Sequence, residues 1–133
     1  MLAARRNEEA WTIAMRVLLV DDNEELREFL ELLLVEGQIE VVAAPSAQAA
    51  LPLLENQKFD VLIIDSVMPG EDGIALTQKI RATRAGQKVP ILLMSSLSTA
   101  LARHMAKEAG VNEFLVKPFG QTQLLDQVKN LSR

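Results

Sequence analysis

The stretch at 61–73, Val-Leu-Ile-Ile-Asp-Ser-Val-Met-Pro-Gly-Glu-Asp-Gly, constrains the fold of this chain more than any other. Four aliphatic residues without polar alternation mark a strand buried on both faces, a pattern that belongs to parallel sheets covered by helices. The run stops at a carboxylate, Asp65, followed by turn residues, so Asp65 stands at the strand's C-terminal end. In open α/β sheets that edge is where ligands bind. A solitary Asp there is ordinarily a turn former or a helix cap. Its role depends on what else reaches the same edge.

The rest of the chain supplies further strand and helix units. Val17–Val20 is an apolar run ended by Asp21, Asp22 and Asn23, and Leu26, Phe29, Leu30, Leu33 and Leu34 follow at helical spacing up to a stop at Gly37. Ile39–Ala43 reads as the second strand. Ser46 can cap a helix through Asn56, within which Pro52 should introduce a kink or shift the start. Asp60–Ile64 is the third strand, a helix runs from Gly73 to Ala82, and Val89–Met94 is the fourth strand, with Pro90 tolerable at its first positions. Ala102, Met105, Ala106 and Ala109 give the next helix a stripe that packs close to the sheet, and Gly110 ends it. Phe114–Val116 is the fifth strand, and Leu124, Leu125, Val128 and Leu131 make the last helix amphipathic. Alternating units of this kind predict a three-layer α/β sandwich: a doubly wound, five-stranded parallel sheet with right-handed crossovers. At 133 residues the chain has room for one such domain.

Composition excludes several functions. A formal net charge of -4 gives no electrostatic footprint for nucleic acid or an anionic membrane. There is no Cys for a disulfide or a thiolate metal site, and His104, the sole His, rules out a multi-histidine site. A reducing cytoplasm is the expected location. No apolar run approaches the roughly 20 residues of a membrane span, so a soluble protein is expected. Residues 1–14 carry Arg5 and Arg6, but Asn7, Glu8 and Glu9 stand where a signal peptide needs its apolar region. They read as an N-terminal extension, a disordered tail or, in the alternative, a short helix whose Trp11 packs on the domain or a partner. The domain itself is read over 15–133.

Strands one, three, four and five each end in a polar residue of a different chemistry: Asp21 and Asp22, Asp65, Ser95, and Lys117. If the strands are ordered 2-1-3-4-5, as is already known for flavodoxin-like sheets, three carboxylates face one another at the topological switch point. Such carboxylates repel, and the cluster persists because something positive sits in it. Oxygen-only ligands with room for water suit Mg2+. Lys117 adds a compact positive charge and Ser95 a hydroxyl donor, which a phosphoryl group on Asp65 would need. Taken singly, the two Asp residues are caps, Ser95 a strand-end hydroxyl and Lys117 a surface charge. Their joint arrival at four strand ends favours a site.

The motifs LLVDDN, DVLIIDSVMPGEDG, ILLMSS and FLVKPF, in this order, resemble the receiver domain of two-component response regulators, the CheY-like family, from about Arg16 to Arg133. The resemblance implies that Asp65 is the phosphoacceptor for a histidine kinase or histidine phosphotransfer protein. Asp21, Asp22, Asp65 and the Val67 backbone carbonyl would be the Mg2+ ligands. It further implies that Ser95 and Phe114 form a switch pair, that Lys117 contacts the phosphoryl group, and that the Lys117–Pro118 bond is cis. Phe114 read by itself is ordinary core. The rim positions that tune dephosphorylation fall on Val67 and Leu97, both apolar. The downstream partner would meet the face of helix four, strand five and helix five, which carries Arg103, His104, Lys107, Glu108 and Lys129. A monomer or a phosphorylation-dependent dimer is expected. Departures are Ser96 where Ala is usual, Pro52 in the second helix, and residues 1–14.

Two rivals fail on particular residues. A haloacid-dehalogenase-like phosphatase needs a second Asp two residues after the nucleophile, where this chain has Val67. A nucleotide-binding module needs a Gly/Ser/Thr-rich loop after strand one, where Asp21, Asp22, Glu24 and Glu25 would repel phosphate. A receiver-like interaction module that works without phosphorylation remains as the alternative. By this reading the chain is no enzyme beyond catalysing its own Mg2+-dependent phosphorylation and dephosphorylation.

Overall fold

Five strands, β1 (Arg16–Val20), β2 (Glu40–Ala44), β3 (Val61–Asp65), β4 (Ile91–Ser95) and β5 (Glu113–Val116), pair in parallel in the order β2-β1-β3-β4-β5. This computed structural model describes residues 15–68 and 70–132; the expectations for residues 1–14 and Trp11 lie outside the described residues. Helices α1 (Glu24–Glu36), α2 (Ala47–Asn56), α3 (Gly73–Ala82), α4 (Ala100–Ala109) and α5 (Gln121–Leu131) connect or follow the strands. The sandwich and its strand order agree with the sequence reading.

Because side chains alternate along a strand, each strand feeds two cores. Leu18, Val20, Leu62, Ile64 and Leu93 pack against Ala50 and Leu54 of α2, Leu76 and Ile80 of α3, and Ala106 of α4. On the other face Val17, Leu19, Ile63, Leu92 and Met94 meet Leu30 and Leu34 of α1 and Leu124 and Val128 of α5. The central strands are therefore apolar on both faces, which is why their sequences lack alternation.

Side-chain caps fix where four helices begin. Asn23, Ser46, Asp72 and Thr99 accept hydrogen bonds from the backbone N–H groups of Leu26, Ala49, Ala75 and Ala102. Ser46 thus sets the start of α2, which runs through Pro52 without a shifted start. The strand boundaries move slightly from those expected. β3 and β4 each end one residue later, on Asp65 and Ser95, because the parallel ladder continues into the polar residue that closes the apolar run. β4 also begins after Pro90, whose carbonyl accepts from Leu62 but which has no N–H to donate. Two residues expected on inward stripes are turned out: Phe29 is 55% exposed and Met105 49%. Leu30, Leu34, Ala106 and Ala109 take the inner faces instead.

At the edge remote from Asp65, Arg81 ties three segments together. Its Nε and Nη2 donate to the Gly110 carbonyl, Nη1 donates to the carbonyls of Gly86 and Val89, and Nη2 also reaches Asn112 Oδ1 at 2.8 Å. Asn112 Oδ1 accepts in addition from the Ile91 N–H. Gly110, at φ 109°, occupies a left-handed conformation that suits glycine, and it closes α4 against this guanidinium.

Candidate functional site

Each chemically distinctive residue at the C-terminal edge is placed by the strand it ends. Asp21 follows β1, and its N–H donates to the Ala44 carbonyl, so the chain stays extended for one more residue before α1 begins. That bond and the Arg27 Nη1 contact to the Asp21 carbonyl, at 2.9 Å, leave the Asp21 side chain buried. Arg27 was not singled out from sequence, although its position four residues after the Asn23 cap puts it on the turn facing Asp21. Asp22 is exposed beside it, and Asp65 is the buried last residue of β3. Carboxylate oxygens of Asp21, Asp22 and Asp65 all lie within 4.8 Å of one another. Lys117 Nζ donates to Asp65 Oδ1 at 2.6 Å.

Ser95, the buried end of β4, accepts at Oγ from the Leu97 N–H at 3.1 Å, which leaves its hydroxyl proton available. The Lys117 N–H donates to the Ser95 carbonyl, so the two residues are coupled through the sheet edge. The Lys117–Pro118 peptide bond is cis. Val67 and Leu97 stand at the mouth, 73% and 62% exposed. Phe114 lies farther along β5, half-buried against the core under α4, with Arg103 Cζ 4.9 Å from its ring centroid. No local sequence pattern signals that stacking, which depends on how α4 lies over β5. Gly73 closes the loop after Asp65 by donating its N–H to the Ser66 carbonyl.

Burial raises the Asp21 pKa above its ordinary value, and the neighbouring charges of Asp65 and Asp22 push the same way; the Asn23 N–H and Lys117 pull it back only in part. Asp21 Oδ2 is buried with no hydrogen-bond partner among the described residues. Three carboxylates facing one ammonium, with one oxygen unpartnered, are short of positive charge, and this all-oxygen donor set fits a hard divalent cation such as Mg2+.

A raised folded-state pKa means that ionised Asp21 costs stability: its contribution is favourable below the unfolded value near 3.8 and is lost as pH rises through the folded value. In chelator, Asp21→Asn should therefore stabilise the domain at pH 7 by about 0.5–2 kcal/mol, with the gain shrinking in acid. Denaturant midpoints across that range check this. The same substitution should weaken Mg2+ binding by about tenfold or more, so calorimetric titration should move in the opposite sense to stability.

Comparisons with known proteins agree with this geometry. The family model described as "Response regulator receiver domain" matches residues 17–129. The response regulator protein FleR of Pseudomonas aeruginosa is 43% identical over 116 residues, covering 87% of this chain and 24% of FleR. Protein PetR of Rhodobacter capsulatus is 35% identical over 117 residues, 88% of this chain and 48% of PetR. The chain thus spans half or less of these curated relatives. Among solved structures, the chemotaxis protein CheY4 of Vibrio cholerae superposes with a TM-score of 0.86 at 28% identity, covering 90% of this chain and 99% of CheY4. The receiver domain of the sensor histidine kinase PA1611 of P. aeruginosa, solved with a magnesium ion coordinated in its active-site cleft, gives 0.82 at 28% identity, covering 90% and 98%. Receiver domains are signalling domains that interact with histidine kinases and downstream effectors, and no helix among the described residues is long and apolar enough to cross a membrane. With its sheet order, its clustered strand-end residues and these matches in register, the chain belongs to the response regulator receiver domains, the phosphorylation-switched modules of two-component systems.

Proposed function

We propose that Asp65 is the phosphoacceptor, and that its phosphorylation by a histidine kinase or histidine phosphotransfer protein changes the surface that α4, β5 and α5 offer a downstream partner. The observation that carries this reading is the pairing of Asp65 Oδ1 with Lys117 beside an acidic cluster that holds an unpartnered, buried carboxylate oxygen. With Oδ1 engaged, the other Asp65 oxygen is the nucleophile. It forms a bond to phosphorus as the bond to the donor breaks, and the donor imidazole leaves with the electron pair and is protonated.

Asp21, Asp22, Asp65 and the Val67 carbonyl would hold Mg2+, which when bound supplies positive charge to the phosphoryl oxygens. Lys117 transfers its hydrogen bond from Asp65 to a phosphoryl oxygen. Ser95 donates its hydroxyl proton to another, and Phe114 turns inward behind it as Ser95 Oγ draws away from the Leu97 N–H. Exposed Arg103, His104, Lys107, Glu108 and Lys129 lie on the face this movement alters. The protein would act as a monomer or as a dimer formed on phosphorylation, in the cytoplasm, with no direct role in binding nucleic acid. The domain is read over 15–133, preceded by an extension.

The test is incorporation of phosphate from a small phosphodonor with Mg2+. A hydroxylamine-labile adduct at Asp65 that chelator abolishes supports the reading, and a stable adduct elsewhere rejects it.

A macromolecular donor must cover the mouth of the site, and an apolar cavity of about 530 Å3 opens beside Lys117, lined by Leu26, Phe29, Pro118 and Phe119. Exposed Phe29 suits burial by such a partner. Phe29→Glu should slow transfer from the kinase by about tenfold while leaving small-donor phosphorylation unchanged, as parallel time courses would read.

Hydrolysis of the aspartyl phosphate needs water placed in line, and the apolar side chains of Val67 and Leu97 cannot hold it. Val67→Asn with Leu97→Glu should accelerate loss of phosphate by about tenfold. Unchanged or slower decay in the double variant would remove these residues from any rim role.

A further inference from the structure

We propose that Arg103 is a positioning residue for the switch: its guanidinium, stacked on Phe114, is a latch that holds the ring in its unphosphorylated setting. This rests on the reading of Ser95 and Phe114 as the switch pair.

The latch follows from how α4 is held. Only Ala106 and Ala109 of α4 are buried, both in its C-terminal half. The Arg81 clasp on the Gly110 carbonyl fixes that end, and Arg103 lies about 10 Å upstream along the helix axis. The preceding half of α4 places no residue in the core. The Arg103 guanidinium ties that half to the sheet, with Cζ 4.9 Å from the Phe114 centroid. Arg103 has no side-chain hydrogen bond or carboxylate partner among the described residues, so the ring is what its charge meets. Phe114 is also one wall of a cavity of about 450 Å3 between α4 and β5, bounded by Arg103, Lys107 and Val111. A ring that turns inward leaves the guanidinium and withdraws from this surface cavity. A cation–π contact at such a partly exposed site biases the two ring settings by about two- to fivefold toward the one in which ring and guanidinium stack.

Arg103→Met keeps a long apolar stem without the charge, and Arg103→Lys keeps the charge without the planar group. In the unmodified protein, the Arg103 δ protons should show an upfield ring-current shift that is absent in Phe114→Leu and is lost when beryllofluoride and Mg2+ are added. Phosphorylation by a small donor should be two- to fivefold faster in Arg103→Met than in the parent, intermediate in Arg103→Lys, and insensitive to Arg103→Met in a Phe114→Leu background. Absence of the upfield shift overturns the latch, as does an unchanged or slower rate in Arg103→Met while Phe114→Leu alters the response to phosphorylation. If Phe114→Leu alters neither rate nor partner binding, the switch reading fails and takes the latch with it.

Discussion

Asp65→Asn should eliminate phosphoryl incorporation and leave the domain folded. The amide is a poor nucleophile toward phosphorus, and it removes the negative charge that draws Lys117 to 2.6 Å. The rate from small donors should fall by about 10^4 or more, below detection, since the lost group forms the new bond itself. The fold should not suffer, because one of three mutually repelling carboxylates within 4.8 Å becomes neutral. Intact-mass analysis after exposure to donor and Mg2+, alongside a thermal melt, reads both halves. Full incorporation mapped to another residue would displace Asp65 from its role, and a collapsed melt would mean that the Asp65–Lys117 pair holds the loop together.

Gly73→Ala should damage structure and chemistry at once. A Cβ there would sit 2.4 Å from the Asp65 carbonyl oxygen, 2.8 Å from Leu93 Cδ1 and 3.0 Å from Ser66 Cα. Two of those three atoms are backbone, so relief requires α3 to lift from the end of β3 rather than a rotamer change. The cost should be about 1–3 kcal/mol or more, against about 5–15 kcal/mol for a whole domain. Lifting α3 also loosens the Gly73 bond to the Ser66 carbonyl, which shapes the turn after Asp65, so phosphorylation should slow together with the loss of stability. Urea denaturation and small-donor kinetics check the pair of effects. Gly120→Ala is the steric control: beyond its chain neighbours nothing lies within 4 Å of an added Cβ, so it should lose only the N-cap preference of α5, about 1 kcal/mol or less, and leave phosphorylation kinetics unchanged. An unaltered midpoint in Gly73→Ala would mean that α3 moves at no cost.

Much of this was legible in the sequence because strands buried on both faces announce themselves as unbroken apolar runs, and the residue that breaks each run marks the edge where chemistry collects. Asp21, Asp22, Asp65, Ser95 and Lys117 stand at such breaks, and the sheet order brings them to one edge. Phe29 and Met105 were misjudged for a physical reason: α1 and α4 carry apolar residues over a wider arc than the sheet covers, and periodicity cannot say which edge of that arc stays dry. Asp72 and Thr99 were missed as caps because short polar residues are common in loops and become caps only where the chain turns. The stacking of Arg103 on Phe114 depends on how α4 lies across β5, which no local pattern encodes.

The guanidinium of Arg81 has all five of its donors spent on neutral oxygens from four residues. Burial lowers its pKa, yet an arginine remains charged across any pH the domain would meet. Chelation or acid can rearrange the charges around Asp65 without changing a charge at this clasp. The molecule therefore has a mechanical polarity, an excitable rim over a chemically deaf base. A fluorophore or tether attached near exposed Gln87 or Lys88 would ride on the domain and report nothing of its state, while the same label near Leu97 would feel every change of signal.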